Sequence, residues 1–341
     1  MSAAATVYAP PSAPAWRLED ELPGRTVRYY SYGRRALAAA LSALKLGPGK
    51  SVLFPEFVCR DLLSAAAAAG ASCVFYPVGA DLAPSEPPAR WPRAAAALAV
   101  NYFGFPQDLA PFEEYRRLTG AAIVEDNAHG LFSRDGAGRP LGTRGDWGIF
   151  SLRKSLPLPN GAALVGPAEL PAQEPFAPAA DARAAARALV GSAARALGPR
   201  AALALLRSAR ALRAFKNGSR LPGPDPDSET RLPEPSRPCA ELERPLEIAG
   251  PATELARRRR LFGEVAAILE GTGARALFSS LPEGVCPYAF PFRAAKDALA
   301  AAQRALGRAG LEPLPWPDLP SAVSGHAPEH YRDLWLAHFL W

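Results

Sequence analysis

Between residues 33 and 166 the chain alternates short, wholly apolar runs with longer segments of helical period. GRRALAAALSALK (33–45) reads as a helix opened by a glycine, and SVLF (51–54) as a short buried strand. FVCRDLLSAAAAAG predicts a second helix and SCVFYPV (72–78) a second strand. A proline-rich loop leads to AAALAVNYFG (95–104), strand-like at AALAV; LAPFEEYRRLTG is a helix stopped by Gly120, and AAIVED (121–126) is a strand. DGAGRPLG (135–142) has the composition of a hairpin tip, with strands at WGIFSL and AALVG after it. Strands apolar on both faces, separated by helices of about 10 residues or more, predict an α/β fold with a mostly parallel sheet flanked by helices.

The pattern changes further along. Residues 179–213 are Ala/Arg-rich and helical, and SRLPGPDPDSETRLPEPSRP (219–238) is a polar, proline-rich break. Beyond it lie a helix over 252–270, a strand at PYAFPF, a helix at DALAAAQRALGRAG and a strand at LEPLPW. The organisation predicted is a large domain over 1–240 and a smaller C-terminal α+β domain over 241–341, with no internal repeat.

Composition narrows the classes. The chain has 341 residues, 49% hydrophobic and 21% charged, ordinary for a soluble enzyme with an ample core. A net charge of +6 suits an anionic ligand. The arginines are spread along helices without interleaved aromatics, which argues against nucleic acid as the partner. Cys59, Cys73, Cys239 and Cys286 are far apart and form no C-x-x-C, so they read as reduced thiols of a cytoplasmic protein, not metal ligands or disulfides. MSAAATVYAPPSAPAW lacks the basic region and apolar core of a signal peptide, and LLSAAAAAGASCVF is too alanine-rich and broken for a membrane span.

Two phosphate-loop look-alikes fail. GPGKS (47–51) precedes a strand and has Leu44 where a P-loop needs glycine. GAGRPLG has the wrong glycine spacing and lies in a hairpin. A better signal is Lys154 in FSLRKSLPLPNGAALVG: the chain has 5 lysines among its 39 basic residues, so nearly every surface cation is arginine. Arginine replaces lysine where only charge is needed, but not where the amine must lose its proton and attack a carbonyl. A solvated lysine is the plain alternative. In AAIVEDNAHG a strand ends on Asp126 with His129 three residues on, at the strand end where open α/β sheets bind ligands. A turn or helix-capping aspartate is the alternative there. Taken together, a carboxylate that can hold a pyridinium protonated, a lysine that can form a Schiff base and a helix-opening Gly33 that can offer amides to a phosphate meet the needs of pyridoxal 5′-phosphate.

In GRRALAAAL, SVLFPEFVCRDLLSAAAAAGA, VNYFGFPQDL, VEDNAHG, GTRGDWGIFS and FSLRKSLPLPNGAAL the sequence resembles the DegT/StrS-type sugar aminotransferases. The resemblance covers about residues 28–166 and returns in ARRRRLFGEVAAIL and PYAFPF. It implies the fold type I architecture of pyridoxal phosphate enzymes. Lys154 is implied as the Schiff-base lysine, Asp126 as partner of the pyridine nitrogen, and His129 as the residue beside the phenolic oxygen. Ser151 would help bind the phosphate, with Gly33 and Arg34 in the phosphate turn. Three departures stand out: two fewer residues between Ser151 and Lys154, Arg34 where the family has threonine, and Cys59 where an aromatic commonly stacks on the cofactor, Phe57 pointing elsewhere. The chain also stops at LAHFLW, short of the family's usual C-terminal segment. These bear on efficiency and reaction type more than on cofactor binding.

The implied activity moves an amino group from an amino acid, glutamate being the expected donor, to an anionic, nucleotide-linked keto-sugar, within a homodimer whose partner chain completes the phosphate pocket. Segments 179–213 and 219–238 are the expected contributors. Alternatives are a dehydration or elimination on the same cofactor, against which the retained lysine speaks because the family's dehydratases carry histidine there, and a non-catalytic relative.

Overall fold

The computed structural model describes residues 15–178 other than Ala168, and 225–339 other than Ala249, with a few positions between 198 and 211. Apart from those few positions, the segment 179–213 lies outside the described residues, as does the first part of the proline-rich break.

In chain order, β1 (Ala15–Trp16) and a one-turn helix α1 (Leu18–Glu21) precede β2 (Thr26–Tyr30) and α2 (Gly33–Ala43). Then come β3 (Ser51–Pro55), α3 (Ser64–Ala69), β4 (Ser72–Tyr76), β5 (Ala96–Val100), α4 (Ala110–Thr119), β6 (Ala122–Asp126), β7 (Trp147–Phe150) and β8 (Ala162–Gly166). The second half holds β9 (Leu246–Glu247), α5 (Pro251–Leu269), β10 (Arg275–Ala276), β11 (Ala289–Arg293), α6 (Lys296–Arg308), β12 (Pro313–Pro315), α7 (Ser321–Ser324) and β13 (Leu334–His338).

Seven strands form one sheet in the order β2-β8-β7-β6-β5-β3-β4. Only β8 runs against its neighbours, pairing antiparallel with both β2 and β7; the other pairs are parallel. Every residue of β5 and β8 is buried, which is why these strands read as unbroken apolar runs. Helix α2 buries Ala36, Leu37, Ala40 and Leu41 along one stripe. The second sheet is antiparallel, in the order β10-β11-β13-β12, and β1 pairs with β9 in a separate ribbon.

Two differences from the sequence reading bear on the site. The predicted helix over FVCRDLL is not continuous: Glu56–Cys59 stays irregular, a 3-10 turn covers Arg60–Leu63, and α3 begins at Ser64. Tertiary contacts override the helical pattern there, because Phe57 is fully buried against Tyr102, Trp316 and Tyr331 and the Arg60 amide bonds Asp318 O at 2.8 Å. The strand β13, which pairs with both β11 and β12, lies in a segment to which the sequence reading assigned no element.

One apolar core runs from the seven-stranded sheet into the four-stranded one, uniting residues such as Phe57, Tyr102, Phe290, Tyr331 and Leu336. A smaller core under β2 and β8 contains Trp16, Phe150, Leu152 and Leu242. The C-terminal sheet thus packs over the carboxyl ends of β3 and β5.

Candidate active site

The parallel strands β6 and β7 pair in register, Asp126 opposite Ile149, so the segments leaving the two strands emerge at the same edge of the sheet. Past β6, Asp126 leads into a turn carrying His129; past β7, Ser151 leads into a 3-10 turn, Leu152–Lys154. Two short chain segments thereby bring three of the expected residues together. Lys154 Nζ lies 3.0 Å from His129 Nε2. Asp126 is 7% and His129 5% exposed, and Asp126 Oδ1 accepts the Ala128 amide at 2.9 Å.

Burial governs the protonation of all three. It lowers the pKa of Lys154, and the Asp126 carboxylate and the Cys59 thiol pull the other way. It raises the carboxyl of Asp126, with Lys154 and the Ala128 amide opposing. His129 is held well below its ordinary value by burial, then by the Lys154 charge and by His338. The site therefore keeps a neutral imidazole against an amine that sheds its proton more readily than usual, beside a carboxyl reluctant to ionise alone.

The C-terminal part of the chain roofs this group. The Tyr288 ring stacks on His129 at 4.5 Å, nearly parallel, and the Tyr288 amide bonds Phe103 O at 2.8 Å. Phe103 stacks on His129 at 5.7 Å and takes a left-handed backbone, φ 57°, just after β5. Trp316 meets His129 edge-on at 5.6 Å. The next residue after Phe103, Gly104 (φ 92°), has to be glycine, since a Cβ there would lie 2.6 Å from Cys286 O. Edge-on to Tyr288, at 5.3 Å, sits His338 of β13, whose pKa burial pushes down to about 4 and whose Nδ1 has no hydrogen-bond partner among the described residues. Sequence reasoning missed Tyr288, Trp316 and His338; the only signal was that PYAFPF and LEPLPW concentrate aromatics in short strand-like runs.

The phosphate-turn residues divide. Gly33 opens α2, and a Cβ built on it meets nothing within 4 Å, so the helix start faces open space. Ser151 is buried, 6% exposed. Arg34 is engaged elsewhere: its Nη1 is 3.0 Å from Asp61 Oδ2. Of the proline-rich break, the described portion folds onto its own chain, with Ser31 Oγ donating to Ser236 O (2.8 Å) and Arg60 paired to Glu229 (3.1 Å).

Directly before Asp126 a second buried acid has a different setting. Glu125 is fully buried; Arg144 Nε and Nη2 bond its Oε2 at 2.9 and 2.7 Å, and Asn101 Nδ2 adds a third bond there at 3.1 Å. The Gly145 amide bonds Oε1 at 3.0 Å. Arg144 also reaches Asn101 Oδ1 and Gln107 O.

Residues 29–163 match the model of the DegT/DnrJ/EryC1/StrS aminotransferase family. Over those residues the chain is similar to that family. It is 32% identical over 124 residues, 35% of this chain and 33% of the relative, to the UDP-N-acetyl-3-dehydro-alpha-D-glucosamine 3-aminotransferase of Acidithiobacillus ferrooxidans. The chain spans about a third of the length of the curated relatives it matches. Among solved structures, a DegT DnrJ EryC1 StrS aminotransferase from Brucella abortus superposes with a TM-score of 0.56 at 17% identity, over 94% of this chain and 82% of that one. An E. coli GDP-4-keto-6-deoxy-D-mannose-3-dehydratase with bound hydrated PLP superposes with a TM-score of 0.56 at 15% identity, over 95% and 86%. The fold is that of the fold type I pyridoxal phosphate enzymes.

Proposed function

We propose that the chain is a pyridoxal 5′-phosphate-dependent aminotransferase that moves an amino group from an amino acid, glutamate first among candidates, to a nucleotide-linked keto-sugar. The observation that carries this reading is the Lys154 amine 3.0 Å from a neutral, stacked His129, with the buried Asp126 at the adjoining strand end. The name of the Acidithiobacillus ferrooxidans relative, a UDP-sugar 3-aminotransferase, supports the substrate class.

The residues present suit this cofactor. The open space at Gly33 gives a phosphate access to the first amides of α2. Asp126, unwilling to ionise alone, gains a favourable partner in a protonated ring nitrogen. When bound, the cofactor supplies an electron sink. Lys154, its pKa lowered, would hold the cofactor, and its free amine would take up and return a proton at Nζ. His129 orients the amine, and Trp316 and Tyr288 exclude water.

Three further expectations belong to this proposal. The domain division falls near residue 240, because the strands of the seven-stranded sheet all precede it and those of the four-stranded sheet all come after it. A cytoplasmic location suits four free thiols and the lack, among the described residues, of any helix long and apolar enough to cross a membrane. A homodimer suits a phosphate turn with no threonine and with Arg34 held by Asp61. A monomer that keeps cofactor and full activity on dilution would contradict it.

A dehydration on the same cofactor is the second reading, favoured by the likeness in fold to a dehydratase and by Cys59 at the ring position. Absorbance separates the readings. A transaminase mixed with glutamate loses its visible band with release of one equivalent of 2-oxoglutarate, and a keto-sugar restores the band. Loss of water from the sugar with no keto acid formed supports the dehydratase, and a colourless protein that binds no cofactor supports a non-catalytic relative.

A further inference from the structure

Resting on that cofactor reading, we infer that Tyr288 is a positioning residue for the reaction: with Phe103 it holds the His129 imidazole between two rings, so that Nε2 stays aimed at Lys154. Hydrogen bonds alone do not fix that ring. Among the described residues the imidazole has one hydrogen-bond partner, the Lys154 amine at 3.0 Å. A working imidazole is usually oriented by a bond to its other nitrogen, which also sets where the proton sits. Here no described residue supplies that second bond. The torsion that turns an imidazole is broad and roughly two-fold, so an unclamped ring is free to swing its nitrogen off the lysine.

Stacking supplies the constraint instead. The Tyr288 ring lies 4.5 Å from the imidazole at an interplanar angle of 4°, and the Phe103 ring 5.7 Å from it at 12°. Among the described residues Phe103 has ring contacts with Tyr102, His129 and Trp316, and Tyr288 with His129 and His338. The two rings thus flank the imidazole without touching each other, as rings on opposite faces do. Trp316 closes one edge, 5.6 Å from His129 and 5.0 Å from Phe103. In a close-packed interior a ring stacked on both faces turns only by displacing a neighbour. Both neighbours are anchored: Phe103 is fully buried, and the Tyr288 amide donates to Phe103 O at 2.8 Å, tying the two sides of the clamp together. Phe103 follows β5 and Tyr288 precedes β11, so the clamp closes only when the two sheets pack. The C-terminal part of the chain thereby reaches the lysine through a ring and not through a charge.

The test begins with side-chain nitrogen NMR of the apo-protein, whose four histidines keep the spectrum simple, above pH 7 where burial leaves His129 neutral. Wild type is expected to show two widely separated His129 nitrogen signals, those of one fixed tautomer. Tyr288→Leu, which keeps apolar bulk without a flat face, should draw them together as the ring turns and the proton exchanges. Tyr288→Phe, which keeps the ring, should leave them apart. Phe103→Leu opens the other face and serves if Tyr288→Leu does not fold. With pyridoxal 5′-phosphate, the leucine variant should bind within about threefold of wild type, yet lose its visible band about tenfold to a hundredfold more slowly when the common amino acids are supplied together. Separated signals in both leucine variants overturn the clamp, as does an equal effect in Tyr288→Phe. Converged signals with an undiminished rate overturn the role in the reaction. Wild type that binds no cofactor, or reacts with no amino acid, overturns the aminotransferase reading and that role with it, while the NMR result on the clamp stands.

Discussion

Glu125 and Asp126 are consecutive residues of one strand, both buried, the first ion-paired to an arginine and the second only under the electrostatic influence of a lysine, and they are built for opposite ends. Glu125 accepts from Arg144, Asn101 and the Gly145 amide, and its cation is a guanidinium that cannot shed its proton. Asp126 accepts from the Ala128 amide and lies under the influence of a lysine whose charge is already disfavoured by burial. The first pair is saturated and locks the end of β6 and the segment after β5 to the loop before β7. The second is under-supplied, so a bound partner with a protonated ring nitrogen can complete it. A buried carboxylate with every acceptor site used serves structure; one short of donors is open to a ligand.

The contrast can be broken at either pair. Glu125→Gln leaves Arg144 buried and charged with no acid, so it should cost about 3–5 kcal/mol of stability, read by urea unfolding of the apo-protein. Asp126→Asn should behave differently, because Lys154 can neutralise itself: stability should stay within about 1 kcal/mol of wild type, while transamination falls by about 100- to 1,000-fold. If the two variants destabilise equally, the distinction between the pairs is wrong.

A smaller effect sharpens the electrostatics of the roof. His338 has a folded pKa near 4, below its ordinary 6.5. As pH falls through that window the unfolded chain takes up a proton that the folded chain refuses, so stability is lost between about pH 6.5 and 4. His338→Phe should remove part of that acid loss, on the order of 1 kcal/mol, visible as a flatter plot of unfolding midpoint against pH. An unchanged slope would mean that the burial of His338 has no bearing on acid stability.

How much of this was legible depends on how local each signal is. The strands β3, β5, β7 and β8 were readable because nearly every residue is buried and each is one continuous apolar run, and β6 is such a run up to its closing Glu125 and Asp126. Lys154, Asp126 and His129 were readable because they lie at or just past the ends of those strands. The features that escaped the sequence come from distant segments. Trp316 reaches His129 across 187 positions, and no local pattern announces it. The Asp61 that holds Arg34 sits in a 3-10 turn that the sequence reading took for plain helix. β13 was passed over because LWLAH is short and lies close to the end of the chain.

The measurement that bears most directly on the central claim is borohydride reduction of the purified protein followed by peptide mapping. The account predicts a pyridoxyl group on Lys154, and it predicts that Lys154→Arg, which keeps the charge, takes up no reducible label and shows no transamination. A label on Lys45, Lys50, Lys216 or Lys296, or a Lys154→Arg protein that still turns over, would contradict it.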